Sequence, residues 1–155
     1  MDDRQFRNAM GNFATGVTVV ATEVDGQVHG MTANAFMSVS LNPKLVVISV
    51  AEKAQMLEKI KRSGTFSINI LTADQQELSL IFAGQVKEHQ EIVFDRLGEV
   101  PVLPGALTQI ACEVSSSHIE GDHTLFIGKV LGIHVNDSEP LIYFNGKYFS
   151  LVENT

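Results

Sequence analysis

Residues 106–135 read ALTQIACEVSSSHIEGDHTLFIGKVLGIHV. Two β-rich stretches, Ala106–Ser117 and Thr124–Val135, flank the polar turn Glu120-Gly121-Asp122-His123. Their Val, Ile, Thr and Phe content suits a pleated, half-buried surface. Long strands joined by a short polar turn point to an antiparallel, mainly β chain.

Downstream, Pro140–Phe144 and Lys147–Val152 enclose Asn145-Gly146, a pair that favours the positive φ angles of a tight hairpin. Upstream, Gly16–Glu23 and Gln27–Met31 enclose Asp25-Gly26 in the same way. Lys44–Val50, after Asn42-Pro43, is an apolar run of the kind expected for a strand buried on both faces. Phe66, Ile68 and Ile70 alternate with Ser67, Asn69 and Leu71, which predicts a strand with one face in the core. Helices are few. Phe6, Met10 and Phe13 define a short amphipathic one over Asp3–Phe13, and Met56, Leu57 and Ile60 another over Ala54–Arg62, ending near Gly64. Thr72 and Gln75 have the spacing of a capping box that opens a third helix through Leu78, Ile81 and Phe82. The polar stretch Gly84–Glu99 is expected to be a mobile excursion. No strand-helix alternation of a doubly wound fold occurs, so a barrel with peripheral helices is predicted, formed by residues 1–155 as a single domain.

Composition narrows the function. A chain of 155 residues with 45% hydrophobic and 19% charged residues can bury a core. Its net charge of -7 and lack of a basic cluster argue against nucleic acid. No apolar run reaches the ~18 residues of a membrane span, and Asp2 and Asp3 oppose a signal-peptide reading. A cytoplasmic protein is expected. The single cysteine, Cys112, fits a reducing compartment and, within a strand-like context, reads as a core residue. No metal site is predicted, because His118 and His123 lack a common zinc spacing.

Two segments interrupt the apolar pattern. In Gly30–Pro43, small residues such as Ala33 and Ala35 would let a flat ligand approach the backbone, and Ser38 and Ser40 could hold a phosphate without a cation. The same residues also read as a polar turn capped by Ser and Asn. Gly121-Asp122-His123 reads either as a turn with a solvated histidine or as a histidine beside a ligand, its tautomer set by Asp122 or a carbonyl. No GxGxxG or Walker pattern is present, so a nucleotide would have to be held by other means.

Four motifs in order, Thr15–Val20, Gly30–Asn34 with Ser38–Pro43, Gly121–Gly128, and Pro140–Phe144 with Tyr148, resemble the short-chain NAD(P)H:flavin oxidoreductases across nearly the whole chain. That resemblance implies an antiparallel FMN-binding split β-barrel, a homodimer, FMN or FAD as hydride acceptor, NADH or NADPH as donor, and commonly a separate flavin-dependent monooxygenase as partner. It aligns Thr32, Ala33, Asn34 and Ala35 with the segment along the isoalloxazine ring, and Ser38, Val39 and Ser40 with a phosphate-holding turn. Ser49, Val50 and Ala51 correspond to a segment bordering the flavin, and Phe82, Ala83 and Gly84 to one that closes over it. His123 corresponds to the histidine on the nicotinamide side, with Tyr148 a further candidate nearby. Ala35 departs from the pattern, since many members carry Ser there. Alternatives are a non-catalytic flavin-binding dimeric module and a split-barrel FMN-dependent oxidase.

Overall fold

The computed structural model describes every residue from Met1 to Thr155. Helix α1 (Asp3–Gly11) starts at Asp2, whose Oδ1 accepts the Gln5 N–H at 2.7 Å. It stops short of the predicted Phe13, and none of its residues is buried. Strand β1 (Thr15–Gly16) leads into the predicted hairpin of β2 (Thr18–Val24) and β3 (Gln27–Ala33). Asp25 and Gly26 take φ of 53° and 77° there, as a type I′ turn requires. β4 (Phe36–Leu41) and β5 (Lys44–Ala51) form a second hairpin, so much of Gly30–Pro43 is strand rather than polar turn.

Helix α2 (Gln55–Ser63) buries Met56, Leu57 and Ile60, and Gly64 closes it in the left-handed conformation. After β6 (Thr65–Ile70), a 3-10 turn (Ala73–Gln75) and α3 (Gln76–Phe82) follow the predicted cap, in which the Thr72 N–H donates to Gln75 Oε1 at 3.0 Å. The excursion expected over Gly84–Glu99 is held at its far end: β7 (Asp95–Leu97) pairs with β8 (Val100–Val102), and Arg96 forms an ion pair with Glu23. Phe94 meets Phe82 edge-on at 6.0 Å. Burial of Val100 and Val102 outweighs the polarity of the residues before them.

β9 (Thr108–Glu120) and β10 (His123–Val135) are the long pair read from the sequence, but β9 runs on to Glu120, leaving Gly121-Asp122 as the whole connection. β11 (Ile142–Phe144) and β12 (Lys147–Phe149) form the last hairpin, shorter than predicted. The chain is mainly β and antiparallel, with its helices at the periphery. Seven strands make one sheet in the order β3-β2-β6-β9-β10-β5-β4, and β1-β11-β12 make a small second sheet. β3 and β4 end the sheet without pairing with each other, so the hydrogen bonds describe a split barrel rather than a closed one. No helix is long and apolar enough to cross a membrane.

Burial on β5 and β6 is the reverse of the prediction. On β5, Val46, Ile48 and Val50 are buried while Leu45, Val47, Ser49 and Ala51 are not, so its apolar run serves one core face and one open face. On β6, both faces are buried: Phe66 and Ile68 join a core with Val20, Ile60, Ile110 and Phe126, while Ser67 and Asn69 face the other way. Beyond that second face lies a smaller cluster containing Val19, Leu71, Leu103 and Leu141. Gly128 permits the larger core, since a Cβ there would fall 2.7 Å from Phe66 Cζ. Cys112 is enclosed in the same core, and burial pushes its thiol up to about 12, which keeps it protonated.

Asn69 is fully buried and fully bonded. Its Nδ2 donates to Val19 O and Ser67 Oγ, each at 2.9 Å, and its Oδ1 accepts the Leu103 N–H at 2.8 Å. Asn69→Ala strands the Leu103 N–H and opens a cavity, and it is expected to destabilise the protein by about 3 kcal/mol. Urea denaturation measures this, and a loss below about 1 kcal/mol would contradict the role given to the side chain.

Candidate functional site

A cavity of about 1060 Å³ opens beside the β4–β5 hairpin, at the upper end of the range for small-molecule sites. One wall is Asn34, Ala35 and Met37; another is Val47, Ser49 and Leu125; the third is the N-terminal segment, through Met10, Phe13, Thr15 and Gly16. Two backbone bonds shape the first wall: the Phe36 N–H donates to Asn34 O at 2.9 Å and the Ser49 N–H to Ala35 O at 3.2 Å. The Asn34 and Ala35 N–H groups take no part in the backbone bonding and are free to meet the edge of a ring.

Register extends this surface to the histidine. Leu125 pairs with Ser49 and His123 with Ala51, and residues directly opposite in an antiparallel ladder share a face. His123 therefore stands on the Ser49 side of the sheet, about 7 Å along from the Leu125–Ser49 pair. The turn is pinned because the Glu52 N–H donates to Asp122 O at 2.9 Å. His123 Nδ1 lies 2.8 Å from Asp122 Oδ1, which directs Nε2 outward, and the side chain is 45% exposed. That hydrogen bond and the charge of the imidazole hold the Asp122 carboxyl below its usual range. The pair is an open, oriented imidazole beside a flat slot.

The structure thus groups Asn34, Ala35, Ser49, Ala51 and His123. Other predicted positions lie differently. Val50 turns its side chain into the core. Ser38-Val39-Ser40 is not a turn: it lies within β4, where Val39 is the extra residue of a β-bulge, Ser38 pairs with Val46 and Ser40 with Leu45. Since Val46 and Leu45 face opposite ways, the two hydroxyls leave opposite sides of the strand, with Ser40 on the side of Val47 and Ser49. Thr32 Oγ1 donates to Ser79 O at 2.6 Å, and Ser79 Oγ lies 2.7 Å from the Tyr148 hydroxyl. Thr32 and Tyr148 thereby brace β3 and β12 against α3, and Tyr148 belongs to the small sheet rather than to the His123 turn. Phe82 lies over Gly30, where a Cβ would meet its ring at 2.6 Å; Ala83 and Gly84 are exposed behind it.

The N-terminal wall was not assigned from sequence. Its signal was the Thr15-Gly16-Val17-Thr18 motif, whose Thr18 hydroxyl donates to Ala33 O at 2.7 Å and so sets the start of the Asn34 strip. Thr15 Oγ1 is buried without any hydrogen-bond partner. Apolar walls, free backbone donors, an unpaired hydroxyl and no cation suit a flat heterocycle with polar edges, and a flavin fits that description.

Comparison with known proteins agrees with this chemistry. Residues 10–152 match the family model described as a flavin reductase like domain. An NADH-dependent flavin reductase from a Rhodococcus species is 47% identical over 148 residues, covering 94% of this chain and 84% of the relative. The reductase component of 4-hydroxyphenylacetate 3-monooxygenase from Thermus thermophilus is 36% identical, covering 95% of each chain. The solved structure of the flavin reductase PheA2 in its native state superposes with a TM-score of 0.96 at 57% identity, covering 99% of this chain and 100% of that one. The chain belongs to the flavin-reductase-like family.

Proposed function

We propose that the chain is an NAD(P)H-dependent flavin reductase that delivers reduced flavin to a separate monooxygenase. The observation that supports this reading is the placement of the Asn34–Ala35 strip, Ser49, Ala51 and His123 along one surface of a chain that belongs to the flavin-reductase-like family. A bound flavin supplies the hydride acceptor and the nicotinamide the donor, so the protein need not contain an acid, a base or a nucleophile. Its residues hold two rings in register: the Asn34 and Ala35 N–H groups meet the polar edge of the first ring, and Met37, Val47 and Leu125 keep water from its face. Ser40 serves the flavin phosphate from the same side of β4. His123, oriented by Asp122, holds the nicotinamide or the negative edge of the reduced ring. A cytoplasmic location fits a chain whose single cysteine, Cys112, is an unpaired buried thiol.

The purified protein is expected to oxidise NADH or NADPH only when FMN or FAD is present, monitored by loss of nicotinamide absorbance. Absence of turnover with both flavins would leave a non-catalytic flavin-binding module as the better reading. His123→Ala should lower kcat/KM for the nicotinamide nucleotide by about tenfold or more with a smaller effect on flavin Kd, and full retention would make it a solvated turn residue. Ser40→Ala should raise flavin Kd by about tenfold, and Ser38→Ala by less. Equal effects would contradict the split across β4.

A homodimer completes the site in this reading. Met10, Phe13 and Met37 line the cavity as exposed apolar side chains, and Val39 and Leu41 farther along β4 are exposed as well, more than a lone subunit gains from leaving in water. Sedimentation at assay concentration should give a dimer, and an active monomer would remove the proposal.

A further inference from the structure

Tyr148, a candidate for the nicotinamide side by resemblance, is engaged elsewhere. Its hydroxyl lies 2.7 Å from Ser79 Oγ, and its ring meets Tyr143 edge-on at 5.4 Å, which limits where that hydroxyl can point. Ser79 is the one buried residue of α3, with 1% of its surface exposed. Its carbonyl accepts the Thr32 hydroxyl at 2.6 Å as well as the Ala83 N–H at 3.1 Å. A single serine thus joins α3 to the end of β3 and, through Tyr148, to β12.

α3 has only seven residues, so its orientation comes from what it packs against rather than from its own stability. The Thr72–Gln75 cap fixes where the helical segment begins but not the roll of α3 about its axis. Tyr148 and Phe82 both pack against the smaller core cluster, and apolar contact of that kind is non-directional. The Tyr148–Ser79 hydrogen bond supplies the missing direction. Ser79 and Phe82 are three residues apart and therefore lie about 60° apart on one helix face. Whatever fixes Ser79 fixes Phe82 as well. Phe82 has one narrow seat: its ring rests on Gly30, where a Cβ would fall 2.6 Å from Cδ1, and it meets Phe94 edge-on at 6.0 Å. At the other end of the connection, Thr32 leads through Ala33 into the Asn34–Ala35 strip.

We propose that Tyr148 is a positioning residue rather than a ligand contact: acting through Ser79, its hydroxyl sets the roll of α3 and so holds Phe82 against Gly30, beside the strip that receives the flavin. It rests on the flavin-reductase reading for the identity of the ligand. The test measures the Kd of FMN by flavin fluorescence for the wild type, Tyr148→Phe, Ser79→Ala and the double variant, and repeats Tyr148→Phe in a Phe82→Leu background. Each single substitution should raise Kd by about fivefold, and the double should be no weaker than either. With both substrates saturating, kcat should stay within twofold, since neither hydroxyl meets the reacting atoms. In the Phe82→Leu background, Tyr148→Phe should change Kd by less than twofold, because the group it positions is gone; a hydroxyl that merely stabilised the fold would act the same in both backgrounds. An unchanged Kd in both single variants would overturn the proposal. So would a fivefold effect that persists without Phe82, or an effect of Tyr148→Phe that Ser79→Ala does not share, which would make the tyrosine a direct ligand contact. Flavin binding without NADH oxidation by the wild type would remove the reductase reading and leave this comparison of Kd values intact.

Discussion

A single carboxamide at the centre of the sheet carries the constraint on which the architecture depends. Asn69 sits on a strand buried on both faces, between a larger core with Phe66 and Phe126 and a smaller one with Leu71 and Leu103. Two of its three hydrogen bonds tie β6 to its neighbour β2 and to the segment after β8, and the third goes to Ser67 on β6 itself. A buried polar group is tolerated only when satisfied, so these bonds fix both the partner and the register of β6. With β6 fixed, β2 and β9 are fixed on either side, and β10 and β5 follow.

That order of strands makes the site. β5 gives its buried face to the core and its open face to the cavity, while β10 brings Leu125 opposite Ser49 and His123 opposite Ala51. The Glu52–Asp122 backbone bond then stops the hairpin tip from swinging away. In the reaction we propose, the reacting groups belong to the two ligands, and the protein's contribution is rigidity: a strip held by the Phe36 and Ser49 N–H groups, and a histidine aimed by an adjacent carboxylate.

The local chemistry of the chain was legible without a structure wherever neighbours in sequence decide the outcome. Asp25-Gly26 and Asn145-Gly146 dictate their turns because few other residues accept positive φ, while Asp2 and Gln75 open helices and Gly64 closes one by bonds to nearby backbone. The four motifs identified the family and hence the ligands. What only the tertiary structure decided was which face of each strand meets what. Val and Ile on β5 look the same whether they face a core or an open cavity, and Asn69 looks exposed until Val19 and Leu103 arrive from distant segments to bond it. Ser38 and Ser40 are two residues apart and would share a face on a regular strand; one bulge at Val39 separates them. The Lys59–His29 pair spans thirty residues of sequence and exists only because α2 packs beside the edge of β3. Turns and caps are short-range bonds that a sequence carries within itself, whereas burial and pairing across strands are properties of the partner that folding supplies.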